Sequence, residues 1–258
     1  LQKLISKQLM MKRIIQLLSC IVLLSTFSAC ESTQQIIKTI EQNYPAAAGS
    51  GQLSTADIVA GLKQALEVGA QNSGSQLSAL DGFFKNAAIK ILLPEEAQKV
   101  EKTLRDLGMG SLVDKAVLSL NRAAEDATKS AAPIFVDAIK TMTISDALGI
   151  LKGGDFAATN YLKTKTTSSL ISAFKPVIQT SLDKVSATKY WTDVFTTYNK
   201  FATNKINPDL SGFVTDKAIT GIFYQVGLEE QKIRKDPVAR VTDLLKKVFG
   251  SKQAQPGS

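Results

Sequence analysis

From Ser54 onward apolar residues return at every third or fourth position, and no stretch alternates as a half-buried strand would. Ser54 with Asp57 three residues later has the form of a capping box, after which Ile58, Leu62, Ala65 and Leu66 share one helical face as far as Gly69. Pro94-Glu95-Glu96 marks a second start, because proline suits the first turn and acids there favour the helix dipole; the stop is expected at Gly108-Met109-Gly110. Ser111 with Asp114, and Thr143 with Asp146, repeat the capping signature, launching helices to about Ser130 and to Gly153-Gly154. Asp155 is expected to cap the next helix, running through Tyr161 and Leu170 towards Pro176, where a kink is predicted. Further helices are expected over about 187–203, over 209–235 after the Asn207-Pro208 break, and from Asp236-Pro237 to Gly250.

The predicted fold class is therefore all-α: an irregular multi-helix bundle of about nine or ten helices joined by short connections. The last helix carries Val238, Val241, Leu244, Leu245, Val248 and Phe249 on one face, with Arg240, Lys246 and Lys247 elsewhere. That face is expected to pack on the domain.

The N-terminal pattern is different. Met11-Lys12-Arg13 precedes a mostly apolar run from Ile14 to Phe27, and Ser28-Ala29 precede Cys30. A positive start, a short apolar run and small residues before a cut are the parts of an export signal. The run is too short to span a hydrocarbon core of about 30 Å as a helix. The cysteine suits a lipoprotein signal cleaved before Cys30, although Phe27 stands where leucine is commonest. The expected organisation is upstream residues and signal peptide over 1–29, a lipidated Cys30 and polar tether over 30–51, one helical domain over 52–250, and a disordered tail over 251–258. Glu31, rather than aspartate, follows the cysteine, which favours an outer-membrane anchor facing the periplasm.

Composition then removes chemistries. The 258 residues include no histidine, so imidazole bases and His-ligated metals are excluded. The two cysteines, Cys20 and Cys30, both lie in the N-terminal segment, so a chain lipidated at Cys30 has no free thiol for a disulfide, a zinc site or a nucleophile. Loss of residues 1–29 removes Lys3, Lys7, Lys12 and Arg13 and no acid, reducing the formal charge from +8 to +4. The stretch 161–205 interleaves seven lysines with Phe174, Tyr190, Trp191, Phe195, Tyr198 and Phe201. Export makes nucleic acid a poor partner, and aromatics at helical spacing more simply fill a core while the lysines stay solvated. No phosphate-binding glycine loop or calcium loop is present, and no cofactor is implied.

Several blocks, taken in order, resemble the bacterial family known as domain of unknown function 4197. They are Gly61-Leu62-Lys63-Gln64-Ala65-Leu66, Asn121-Arg122-Ala123-Ala124-Glu125, and Asp146-Ala147-Leu148-Gly149-Ile150-Leu151-Lys152-Gly153. Ala158-Thr159-Asn160-Tyr161, Glu229-Glu230-Gln231-Lys232-Ile233-Arg234 and Asp236-Pro237-Val238-Ala239-Arg240 complete the set. The resemblance spans about residues 53–250 and implies an exported helical protein. It brings no catalytic residues with it.

The polar groups of these blocks form the candidate cluster: Asn121, Arg122, Glu125, Asp146, Thr159, Tyr161, Glu230, Arg234 and Arg240. Arg122 and Glu125 are i, i+3 neighbours, and Glu125 and Lys129 are i, i+4. Two roles are open to them. Either they form a half-buried ion pair fixing the register of a helix–helix contact, or they reach a ligand or partner. Glu230 and Arg234 form a second pair, able to bind a carboxylate or phosphate if Asp146, Tyr161 and Arg240 converge on them. An enzyme without histidine or thiol would need paired carboxylates, with Glu125 and Asp146 the first pair to test. The expectation is a membrane-anchored binding or scaffolding module for an envelope protein or a small apolar or anionic ligand. The alternative is a carboxylate-dependent hydrolase of an envelope polymer.

Overall fold

In the computed structural model, residues 54–200 and 209–251 are described, together with Lys38, Gln42, Lys205 and Asn207. The chain divides into two units at Pro45–Ala46, and the helical domain is the second of them. Cys30, the signal, most of the tether and the residues after Ser251 lie outside the described residues.

Ser54 does cap the first helix, α1 (Thr55–Ser78): its Oγ accepts from the Asp57 N–H at 3.1 Å, and the Asp57 carboxylate accepts from the Ser54 N–H at 3.0 Å. The helix does not stop at Gly69. It continues for nine residues because Gly69 and Gly74 lie against the Glu229 and Ala132 side chains, so their missing Cβ atoms let neighbouring helices come close. A short 3-10 turn (Glu95–Ala97) leads into α2 (Gln98–Asp106), and α3 follows (Gly110–Thr128). Ser111 and Asp114 do not cap α3, which begins one residue earlier with no side-chain cap; Asp114 instead accepts from Arg105 at 2.9 Å.

A helix that the sequence pattern did not announce, α4 (Ala131–Lys140), comes next. It has no side-chain cap, and Pro133 sits in its first turn, where the missing N–H is not needed. Thr143 and Asp146 form the expected box at the start of α5 (Ile144–Lys152). Then α6 (Ala157–Asp183) runs through Pro176 without a break, α7 spans Ala187–Tyr198, and α8 (Leu210–Lys235) is capped by Asp209.

The expected last helix is divided. Asp236 accepts from the Val238 N–H and caps a 3-10 turn (Pro237–Ala239), after which Thr242 caps α9 (Asp243–Phe249). Leu244, Leu245, Val248 and Phe249 are buried against α1, as expected. Val238 and Val241 precede α9, fall off that face and remain 86% and 44% exposed.

The class is all-α, with no strand among the described residues. They contain eight helices of nine or more residues and the seven-residue α9, so the anticipated nine or ten slightly overstates the full-length helices. One hydrophobic core joins them: α6 and α8 pack on each other, α3 and α4 pack on α6, and α1 packs on α3, α4, α5, α8 and α9. Phe83, Phe135, Phe174, Leu162 and Leu170 are fully buried. Phe174 thus has the core role expected of it, and the lysines of 161–205 are exposed.

Among the described residues, Asp81 (φ 69°) and Ser186 (φ 56°) are the non-glycine residues with left-handed backbone. Asp81 has compensation from Arg122 and Lys85; Ser186 occupies the position after α6 where glycine is usual. Ser186→Gly is expected to stabilise the domain by about 1 kcal/mol, the order of the left-handed penalty. Thermal unfolding checks this, and an unchanged or lower midpoint contradicts it.

Candidate functional site

Asn121, Arg122 and Glu125 are successive polar positions on α3, and all three face the segment 79–94 that joins α1 to the 3-10 turn. Asn121 is fully buried. Its Oδ1 accepts from the Ile91 N–H at 2.9 Å, and its Nδ2 donates to the Ile91 carbonyl at 2.8 Å and to the Val117 carbonyl at 2.7 Å. The side chain thereby pairs both backbone groups of an otherwise irregular residue, as a neighbouring strand would.

Glu125 does the same one turn later. Its Oε1 accepts from the Phe83 and Phe84 N–H groups at 3.1 and 3.2 Å, and its Oε2 accepts from Arg122 at 2.5 Å. Arg122 also donates to Asp81 at 2.6 Å, while Lys85 pairs with the other Asp81 oxygen at 2.7 Å. The Arg122–Glu125 pair is therefore formed and largely buried, but its partners come from a loop and not from a second helix. Lys129 pairs with Asp126 at 2.6 Å, not with Glu125.

Bonds from Lys85 first and Arg122 second hold the Asp81 carboxyl below the usual aspartate range. A depressed carboxylate stabilises the fold above its unfolded pKa, and that contribution is lost as pH falls through the lower folded value. The acid side of the stability profile should therefore flatten in Asp81→Asn, below about pH 4. Urea midpoints measured from pH 3 to 6 in both proteins check this, and parallel profiles contradict it.

Glu230 and Arg234 form the second group. Both are buried, with side chains 6% and 10% exposed. Glu230 accepts from the Ala158 N–H at 3.0 Å, the Thr159 N–H at 2.9 Å and the Thr159 hydroxyl at 2.8 Å. These are orphan donors of the first turn of α6, so α8 caps α6 through space; Asp155, the expected cap, pairs with Lys235 at 3.0 Å. Arg234 closes the other side. It pairs with Glu230 at 2.9 Å and donates to the Ile150 carbonyl at 2.9 Å, in the last turn of α5. Arg240 donates to the Ile233 and Arg234 carbonyls at 3.0 and 2.9 Å, in the last turn of α8. An anion thus meets a helix N-terminus and two cations meet helix C-termini, the favourable sense of the dipole in each case.

Asp146 is committed to the Thr143 box, whose side-chain and backbone bonds hold its carboxyl below the ordinary value. Burial raises the Tyr161 phenol, and the nearby Asp146 charge raises it further. The candidate residues therefore assemble into three separate arrangements: Asn121–Arg122–Glu125 on one loop, Thr159–Glu230–Arg234 with Arg240 at three helix ends, and Asp146 beside Tyr161. Glu125 and Asp146 are not brought together; the former holds loop amides and the latter a helix start. Beside Glu230 and Arg234 lies a cavity of about 20 Å³, room for a water but not for a substrate. Among the described residues no cluster of acids fit to hold a metal is found.

Residues that sequence reasoning missed include Glu229, buried and bonded to Asn72 at 3.1 Å, and Gln225, bonded to Gln76 at 2.9 Å. They form a polar seam between α1 and α8. Their four-residue spacing on each helix is the signal that could have found them.

The fold and these contacts define an all-α domain whose prominent polar residues tie loops and helix ends into one core. The chain belongs to the family described as protein of unknown function (DUF4197), whose pattern matches residues 52–250. No curated protein and no solved structure gives a match to the chain.

Proposed function

We propose that this is a lipid-anchored protein of the bacterial cell envelope, held at the outer membrane facing the periplasm, whose helical domain works by binding. It serves as a scaffold for another envelope protein or as a holder of a small apolar or anionic ligand. One observation carries the binding reading: the charged groups of the candidate cluster are spent inside the fold, whereas open amphipathic grooves lie between the helices. One groove of about 580 Å³ is walled by α3 and the ends of α1 and α6, and another of about 530 Å³ lies between residues 88–98 and α8. Concavities of this size suit a ligand or a partner's side chains.

The anchor rests on the N-terminal pattern ending in Ser28-Ala29-Cys30 and on the polar stretch after it. Among the described residues no helix is long and apolar enough to cross a membrane. A single acyl chain holds a protein only marginally, so the diacylglyceryl group of a bacterial lipoprotein is the smallest stable anchor. Cys30→Ser is expected to abolish incorporation of labelled fatty acid and to leave the precursor uncut. Intact-mass measurement of the membrane-extracted protein should give a chain starting at Cys30 and carrying acyl mass. A chain starting elsewhere, or starting there without that mass, refutes the anchor.

A further inference from the structure

The groove between α3 and the ends of α1 and α6 differs from the others in how its rims are built. Leu80 stands on one side, 77% exposed, and Val185 on the other, 55% exposed. Each immediately precedes one of the two left-handed non-glycine residues, Asp81 and Ser186. Backbone in this region is costly for a side-chain-bearing residue and persists only where the surroundings impose it. At Asp81 the imposing groups are Arg122 and Lys85, and Arg122 is in turn held by Glu125, whose other oxygen is fixed by the Phe83 and Phe84 amides. The network that reads as a loop clamp thus also sets Leu80 out at the rim.

The floor is a single stripe of α3. Leu118, Arg122, Asp126 and Lys129 recur at helical spacing, with Ala123 buried between them. From Leu118 to Lys129 the stripe runs for about 16 Å, three turns of helix. Its carboxylates are already taken: Glu125 by Arg122 and the loop amides, Asp126 by Lys129 and the Ser181 hydroxyl. Lys184, on the Val185 rim, makes no ion pair among the described residues; Asp126 feels its charge but is paired with Lys129. The groove therefore offers apolar walls, a three-turn length and a cation without an ion-pair partner.

We propose that this groove docks a short amphipathic helical segment of a partner protein, its apolar face between Leu80 and Val185 and an acidic side chain on Lys184. This is the helix-in-groove mode, in which apolar anchors at helical spacing supply affinity and a rim charge sets orientation. The inference rests on the binding reading above and is independent of the lipid anchor.

The test is a selection of random peptides of about 12 residues, three turns of helix, displayed on phage against the full-length chain. Enriched peptides should carry apolar residues at i, i+3 or i+4, and i+7, together with aspartate or glutamate. Leu80→Glu combined with Val185→Glu should weaken them by about tenfold or more, and Lys184→Glu should weaken acidic peptides while favouring lysine-bearing ones. Both rim residues are exposed, so unchanged circular dichroism is expected for these variants. Peptides that enrich without acidic bias, or that bind the rim variants equally well, overturn the groove while leaving the binding reading standing. A selection that enriches nothing overturns both. Anionic phospholipid vesicles that bind wild type and lose affinity on the same substitutions reassign the groove to lipid and overturn the proposal.

Discussion

Glu230→Ala is expected to cost about 3–5 kcal/mol, the usual penalty for stripping one partner from a buried ion pair. The structure supplies the reason atom by atom. Removal of the carboxylate leaves the Ala158 and Thr159 amides without an acceptor at the start of α6, and leaves the buried Arg234 guanidinium without its counter-charge. The damage reaches three helices, because Arg234 also holds the last turn of α5 and lies on α8. Against a total stability of about 5–15 kcal/mol for a domain, such a loss brings the variant close to unfolding. Urea denaturation measures it. A change below about 1 kcal/mol, the size of an exposed ion pair, would show that the contact is not buried as described.

The second large effect is expected at Asn121. Asn121→Ala leaves the Ile91 N–H and carbonyl unpaired in a buried place and opens a small void, for a loss of about 2–4 kcal/mol. The effect should also be local. The segment 79–94 has little helical structure of its own, and its fixed points on α3 are Asn121, Arg122 and Glu125. Proteolysis under native conditions should therefore shift to this segment in the variant, while cleavage elsewhere stays at the wild-type rate. A variant that unfolds at the wild-type urea midpoint with unchanged cleavage contradicts the clamp.

Legibility in the sequence tracks the range of the interactions. Features encoded within four residues were readable: the Ser54–Asp57 and Thr143–Asp146 boxes, the Asp209 and Asp236 caps, and the apolar face of α9 from Leu244 to Phe249. Features set by tertiary contact were misread. Asp155 has the right chemistry and position to cap α6, yet Glu230, 72 residues away from Ala158, takes that role. Gly69 reads as a stop and serves as a contact point for Glu229. The start of α4 carries no local signal, since Ser130 makes no cap bond, and packing of Ala131, Phe135 and Ile139 fixes the helix. Val238 and Val241 show the reverse error: a helical wheel drawn through Pro237–Arg240 assumes continuous α-helix where the chain makes a 3-10 turn.

The candidate residues show the same division. The pairs Arg122–Glu125 and Glu230–Arg234 were legible because each spans one helical turn. What they hold was not, because the amides of Phe83, Phe84, Ala158 and Thr159 are brought to them by the fold. Clusters of polar side chains that suggest a site in the sequence prove to be fasteners between distant segments. The open surfaces of the domain, rather than these groups, are where the binding reading places function.

Native-state hydrogen exchange tests the fastener role most directly, because five backbone amides hang on three side chains. The N–H groups of Phe83, Phe84 and Ile91, which lie outside every helix, are expected to exchange as slowly as those of core helices, held by Glu125 and Asn121. The same protection is expected for Ala158 and Thr159 at the first turn of α6, held by Glu230. Exchange of these five amides at the rates of an open loop and a fraying helix end would contradict it.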